Sequence, residues 1–179
     1  MKLAIPEKIE TPRLLIRRLR YEDAEKIFYV YASKKEPTHF VSWATHQSIQ
    51  DTRKFLNYAI TGWEKGIDYS FGIQLKENQR FIGSFGLLHD QGKIQFGYIL
   101  GPHHWGHGFA TEACQQMMMI VNALPEVYRI GTFVDAENIA SIKVLIKSGL
   151  VEEVRLEKWF RFVNQGNQPK DCILFRLPR

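Results

Sequence analysis

The spacing of apolar and polar residues changes period several times along this chain, and each change marks an element. Residues 13–20, Arg-Leu-Leu-Ile-Arg-Arg-Leu-Arg, alternate as a strand does. Residues 22–33 and 48–66 carry helical spacing, with Phe55, Tyr58, Ala59 and Trp63 along the second helix and Pro37 in the loop between the two. Three strand-like runs follow at 69–75, 81–88 and 93–100, parted by turn signals at 76–79 and 90–92, which predicts an antiparallel meander. A glycine-rich stretch at 101–108 leads straight into a helix that Pro125 stops near Leu124. A strand at 128–134, a short helix at 140–147 closed by Gly149, and two strands at 154–163 and 172–177 complete the order. The expected fold is one α/β (α+β) domain over residues 1–179, with about seven strands and about four helices.

Composition narrows the class. The 179 residues are 45% hydrophobic and 24% charged, which excludes a disordered or low-complexity chain. The longest clear apolar run, Met117 to Val121, is far short of a membrane span, and residues 1–7 carry no signal-peptide core, so a cytoplasmic protein with no membrane partner is expected. Cys114 and Cys172 are too few for a disulfide framework and read as free thiols. The net charge of +5 is unevenly spread: each end is +4, from six Lys/Arg against two acids, and the middle is −3. With no zinc-finger or aromatic RNA-reading signature, nucleic acid is not the expected partner. Met117, Met118 and Met119 cover most of a helix circumference, so at least one must face the core.

The chemistry points to one junction, Leu100-Gly101-Pro102-His103-His104-Trp105-Gly106-His107-Gly108-Phe109-Ala110-Thr111-Glu112-Ala113. A strand ends, glycines turn the backbone, and a helix starts, so unpaired N–H groups and a positive helix end converge on an anion, above all a phosphate. His107-Gly108 stand where a Walker A loop needs Lys and Ser/Thr, and a dinucleotide fingerprint needs a third glycine in an early parallel unit, so neither motif applies. His103, His104 and His107 beside a helix N-terminus are poorly placed for a cation, and no metal is expected.

Gly106-His107-Gly108 with Phe109-Ala110-Thr111-Glu112-Ala113 resembles the acetyl-CoA pyrophosphate loop of GNAT N-acetyltransferases, in the RimJ/RimL-like ribosomal-protein branch. Glu10-Thr11-Pro12-Arg13-Leu14, Phe96-Gly97-Tyr98-Ile99-Leu100, and Asn138 to Ser141 with Lys147-Ser148-Gly149-Leu150 resemble further segments of that branch in the same order. The resemblance implies a GNAT fold, a mixed, mostly antiparallel, twisted sheet split between its fourth and fifth strands, with the pantetheine arm of acetyl-CoA in the gap. It implies that the backbone of Ile99 and Leu100 meets the arm, that the amides of Trp105, Gly106, His107, Gly108, Phe109, Ala110 and Thr111 hold the pyrophosphate, and that Asn138 reaches the pantetheine. It also makes a homodimer a possible assembly.

Departures from the family pattern shape the mechanism. His103 replaces the usual Arg or Gln ahead of the loop, Leu145 stands where many relatives carry an acid Tyr, and Gln95 replaces a common Glu. Ser141 is then the candidate acid, and a helix-capping role is its alternative. Glu36, His39, Asp68, His89 and Glu137 are candidate bases that the sequence does not rank, and Glu112 is read as a favourable charge at a helix start. Phe40 and Trp43 either wall the acceptor site or cover the core edge. At pH 7 an α-amine with a pKa of about 7.7–8 is roughly one-tenth unprotonated and a lysine is not, so the absence of a carboxylate base favours a protein N-terminal α-amine as acceptor. A small-molecule amine and a non-catalytic acyl-CoA-binding module are the alternatives. A polyamine would require clustered carboxylates, which the basic tail does not supply.

Overall fold

A short strand opens the chain where the sequence pattern shows none. In the computed structural model, which describes residues 2–179, β1 (Lys8–Glu10) lies antiparallel on β2 (Leu14–Arg18) with Lys8 opposite Arg17. Three residues around one buried Ile9 are too few for a two-residue period to register. β3 (Asp68–Leu75), β4 (Phe81–Asp90) and β5 (Lys93–Leu100) extend the sheet as the expected antiparallel meander. β6 (Arg129–Asp135) runs parallel to β5, and β7 (Val151–Arg161) and β8 (Pro169–Arg176) form the far wing, in the order β1-β2-β3-β4-β5-β6-β8-β7. The sheet therefore has eight strands.

β5 and β6 pair at three positions only, from Lys93 opposite Arg129 to Gln95 opposite Gly131. Beyond these, the Thr132 hydroxyl donates to the Phe96 carbonyl at 2.7 Å and the strands diverge. The expected split falls here, between the fourth and fifth strands of a family pattern that lacks β1.

The first predicted helix is a composite. A 3-10 turn (Tyr21–Asp23) leads into α1 (Ala24–Ile27) and then a π-helical turn (Phe28–Ala32) in which the Ser33 N–H and hydroxyl both donate to the Phe28 carbonyl, at 3.1 and 2.6 Å. The wider turn brings the Tyr31 hydroxyl to 2.6 Å from Ser84 Oγ on β4. Pro37, expected in a loop, lies in the first turn of α2 (Lys35–Thr38), where a missing N–H costs nothing.

α3 (Ile49–Lys65) starts where the Asp51 carboxylate accepts the Ser48 N–H at 3.2 Å, and it ends at Gly66 with φ 72°. Its buried stripe is Thr52, Leu56, Ala59 and Trp63, while Phe55 and Tyr58 turn toward a cleft. α4 (Phe109–Asn122) and α5 (Ile139–Lys147) cover the other face, where Phe85 stacks on Phe96 at 5.7 Å beside buried Ile94, Ile130 and Val121. Met117 and Met118 are buried and Met119 is exposed, so one methionine of the run escapes the core. Cys114 and Cys172 are free thiols, both buried, and burial lifts each to about 11. Among the described residues no helix is long and apolar enough to cross a membrane.

Candidate active site

The divergence of β5 from β6 leaves backbone groups without partners. In an antiparallel ladder a residue's N–H and C=O point to the same side, and the side alternates. The Gly101 N–H donates to the Ile82 carbonyl at 2.8 Å, so Gly97 and Ile99 also face β4, and Phe96, Tyr98 and Leu100 face the split. The Phe96 carbonyl is taken by Thr132 and the Leu100 carbonyl accepts the Trp105 indole N–H at 3.0 Å. The open edge is therefore the Tyr98 N–H and C=O together with the Leu100 N–H. Ile99, expected to offer its backbone, has it turned into the ladder with β4, because the alternation places it one residue out of phase.

Beyond Leu100 the chain makes a 3-10 turn (Pro102–His104), and the Trp105 indole folds back to cap the strand. Gly106 and Gly108 take φ of +77° and +79°, the left-handed region that glycine adopts without strain. The first bond of α4 runs from the Glu112 N–H to the Gly108 carbonyl at 3.0 Å, leaving the N–H groups of Phe109, Ala110 and Thr111 without an intrahelical acceptor. These amides border the same cleft as Trp105, Gly106 and Gly108. The His107 ring tilts against Phe109 at 5.7 Å, and its carbonyl accepts the Arg13 guanidinium at 2.8 Å. His104 lines the cleft. Burial, then the charges of Arg80, His103 and His107, hold its imidazole below the usual range and largely neutral.

Opposite the open edge, Asn138 caps α5 by accepting the Ser141 N–H on Oδ1 at 3.2 Å, and its amide N–H groups have no partner among the described residues. The Ser141 hydroxyl does not cap. Its oxygen accepts the Tyr98 hydroxyl at 3.1 Å, so its own proton is free to be donated into the cleft. Burial raises the Tyr98 phenol far above its ordinary value, so it stays a neutral donor. Tyr98 is the cleft residue bonded to Ser141 that sequence reasoning missed. The signal was its place on the apolar side of the alternating run at 96–100, which cannot show what its hydroxyl meets.

The candidate bases separate. His89 is buried between the Gly66 carbonyl at Nδ1 (2.8 Å) and the Gly92 N–H at Nε2 (2.9 Å), a bridge that holds two turns. Glu137 is exposed and paired with Lys170. Glu36 and His39 line the cleft from the α2 region, and Asp68 lines it at the start of β3. Phe40 and Trp43 are part of that wall, and Leu145, in place of an acid Tyr, is core. The cleft as a whole encloses about 1290 Å³. Among the described residues no three His, Cys, Asp or Glu side chains gather as metal ligands.

The model of the acetyltransferase (GNAT) domain matches residues 13–151 of this chain. The chain belongs to the GNAT acetyltransferase family. It is 26% identical over 172 residues to the N-acetyltransferase YoaA of Bacillus subtilis, covering 94% of this chain and 95% of that one. It is 31% identical over 142 residues to the N-acetyltransferase p20 of Bacillus licheniformis, covering 78% and 79%. Among solved structures it is similar to RimL, an alpha-N-protein acetyltransferase of a ribosomal protein in complex with coenzyme A, with a TM-score of 0.85, 16% identity and coverage of 95% and 97%. As a GNAT enzyme it is an acetyl-CoA-dependent N-acetyltransferase, and acetyl-CoA supplies the activated acetyl thioester. The residues present fit that donor: an open strand edge, a cradle of unshared amides at a helix start, and an uncommitted amide on Asn138.

Proposed function

We propose that this chain is a cytoplasmic enzyme that acetylates the α-amine of a protein N-terminus by direct attack on acetyl-CoA in a ternary complex. The observation that carries the acceptor class is the composition of the reaction end of the split. The groups that meet there are the Tyr98 and Ser141 hydroxyls, and both cleft-lining carboxylates lie elsewhere, Glu36 on α2 and Asp68 two strands away from β5. An α-amine is already unprotonated in a useful fraction at neutral pH, so water suffices to take its proton, whereas a lysine ε-amine would need a strong base beside it.

In this reading the Tyr98 and Leu100 backbone holds the pantetheine arm, the amides from Trp105 to Thr111 hold the pyrophosphate, and the Asn138 amide donates to an arm carbonyl. Ser141, fixed by the Tyr98 hydroxyl, supplies a proton toward the departing sulfur. A thiol of pKa about 8.5 leaves almost as a stable thiolate, so this assistance is small and positioning carries most of the rate. The likeness to RimL, an alpha-N-protein acetyltransferase, supports the same acceptor class.

The deciding experiment measures thiol release from acetyl-CoA with peptides bearing a free or a blocked N-terminus, each with and without a lysine side chain. Transfer that requires the free α-amine supports the reading. Transfer to blocked, lysine-bearing peptides overturns it.

A further inference from the structure

Across β3, β4 and β5 the register lines up Ser70, Gly86 and Gly97 at one level, and Asp68, Leu88 and Gln95 at the next. Paired residues share a face of the sheet, so Gly86 and Gly97 leave a stretch two strands wide without side chains. A Cβ on Gly97 would meet nothing within 4 Å, and one on Gly86 would meet only Ser70 Oγ, at 3.7 Å. The result is a trough that starts at the split, where the acetyl group is delivered, and runs about 10 Å across the sheet to β3.

The trough ends at Ser70, whose hydroxyl is bonded to a carboxylate one level along β3. Asp68 is 4% exposed, and its Oδ1 accepts the Ser70 hydroxyl at 2.5 Å, its only hydrogen bond among the described residues. Oδ2 has no partner among the described residues, and Asp68 is part of the cleft lining. Gly62 on α3 seats this residue: a Cβ there would lie 2.6 Å from Asp68 Cβ, so only a glycine lets the helix pack this close. Phe55 and Tyr58 of α3 line the same cleft and offer apolar surface to an aliphatic stem. A buried carboxylate with a free oxygen, beside the end of an apolar channel, is complementary to a single cation.

We infer that the acceptor's first residue carries a cationic side chain, which lies over Gly97 and Gly86 and pairs with Asp68 while its α-amine faces the thioester. The inference rests on the α-amine reading above and names the substrate class within it. The two nitrogens sort themselves by basicity: at neutral pH the ε-ammonium of lysine keeps its charge for the carboxylate, and the α-amine, some two to three units less basic, provides the nucleophile. An extended lysine side chain suits the gap, and one carboxylate suits one charge, not the several of a polyamine.

The test is calorimetry of tripeptide amides that begin with lysine, norleucine or alanine, titrated into the CoA-loaded protein, its Asp68→Asn variant and its Gly97→Val variant. Norleucine keeps the stem and removes the charge. The wild type is expected to bind the lysine-led peptide about tenfold or more tighter than the norleucine-led one, and Asp68→Asn to equalise the two. Gly97→Val, which adds side chain to open space, should weaken both long-chain peptides and spare the alanine-led one, and it carries the test if Asp68→Asn does not fold. Equal affinity for lysine- and norleucine-led peptides in the wild type, or a preference that survives Asp68→Asn in a folded protein, overturns the inference. Turnover is read separately. Acetylation of the alanine-led peptide without a lysine preference removes this inference alone, whereas a lysine preference in binding with no transfer to any α-amine removes the functional reading alone. Lysinamide against norleucinamide in the same titration shows whether a free amino-acid derivative suffices or a peptide is required.

Discussion

Arg13 Nε and Glu112 Oε2 stand 2.6 Å apart and tie the start of β2 to the first turn of α4. The other Glu112 oxygen accepts the Arg13 N–H at 2.8 Å and the Thr11 hydroxyl at 2.6 Å. The Arg13 guanidinium also reaches the His107 carbonyl and lies 4.5 Å from the centre of the Phe109 ring. Burial alone would raise the Glu112 carboxyl, but the bonds from Thr11 and Arg13 outweigh it and keep the group ionised. The start of β2 and the first turn of α4 thus meet at the glycine loop, and Glu112 is a clamp as well as a charge on the helix dipole. Glu112→Ala strands three donors in a partly exposed site and is expected to cost about 2 kcal/mol. Thermal denaturation measures that loss, and calorimetry should show weaker CoA binding alongside it.

Gly108→Val forces a β-branched residue to φ +79° at the helix start, with the new Cβ 3.4 Å from the Arg13 guanidinium. CoA affinity is expected to drop at least tenfold, by about 1.4 kcal/mol or more, in a protein that still folds. Gly106→Val has open space around its Cβ, so its effect isolates the backbone strain at φ +77°. Unchanged CoA affinity in both folded variants contradicts the loop as the pyrophosphate cradle.

Ser141→Ala removes the free hydroxyl proton and the acceptor of the Tyr98 hydroxyl while leaving the backbone bond to Asn138. Because the leaving thiolate is already stable, kcat is expected to fall about tenfold and the Kd for CoA to stay constant. Tyr98→Phe should lower kcat by less, since the Ser141 proton remains. Steady-state rates with calorimetric CoA titration separate the two effects.

Asp68 sets a pH dependence of stability. Burial lifts its carboxyl from 3.8 to about 6, against the opposing hydrogen bond from Ser70. The native state then keeps a proton that the unfolded chain releases between about pH 4 and 6, so this residue's contribution becomes less favourable as pH rises through that window and stays constant above it. The shift corresponds to roughly 3 kcal/mol. Asp68→Asn should therefore raise Tm by roughly 5 °C or more at pH 8 and by little at pH 4. Melting curves of the two proteins that stay parallel across this range would place the carboxylate in water.

Asn164 fastens the aromatic wall. Its amide donates to the Thr38 and Trp43 carbonyls at 2.7 and 2.9 Å, and its Oδ1 accepts the Thr45 N–H at 3.0 Å. Asn164→Ala frees the segment carrying Phe40 and Trp43, so KM for the acceptor is expected to rise severalfold with the Kd for CoA unchanged. Equal effects on both substrates would mean that the wall serves the whole fold.

Much of this architecture is written in local pattern. The meander, α3 with its Ser48 and Gly66 ends, the glycine loop feeding α4, and the Gly149 end of α5 all follow from periodicity and from residues whose backbone preferences act over a few positions. The same local rules determined that the junction of the glycine loop with α4 offers unshared amides, because a helix start has them whatever surrounds it. The meeting of Arg13 with Glu112, of Tyr98 with Ser141, and of Asp68 with the trough over Gly86 and Gly97 was decided only by the tertiary structure. Each joins residues on separate elements, and strand register and phase, set by the packing of the whole sheet, determine which side chains and which backbone groups face one another. A shift of one residue along β5 would put Ile99 in the split and Tyr98 against β4, and no local propensity distinguishes those two arrangements.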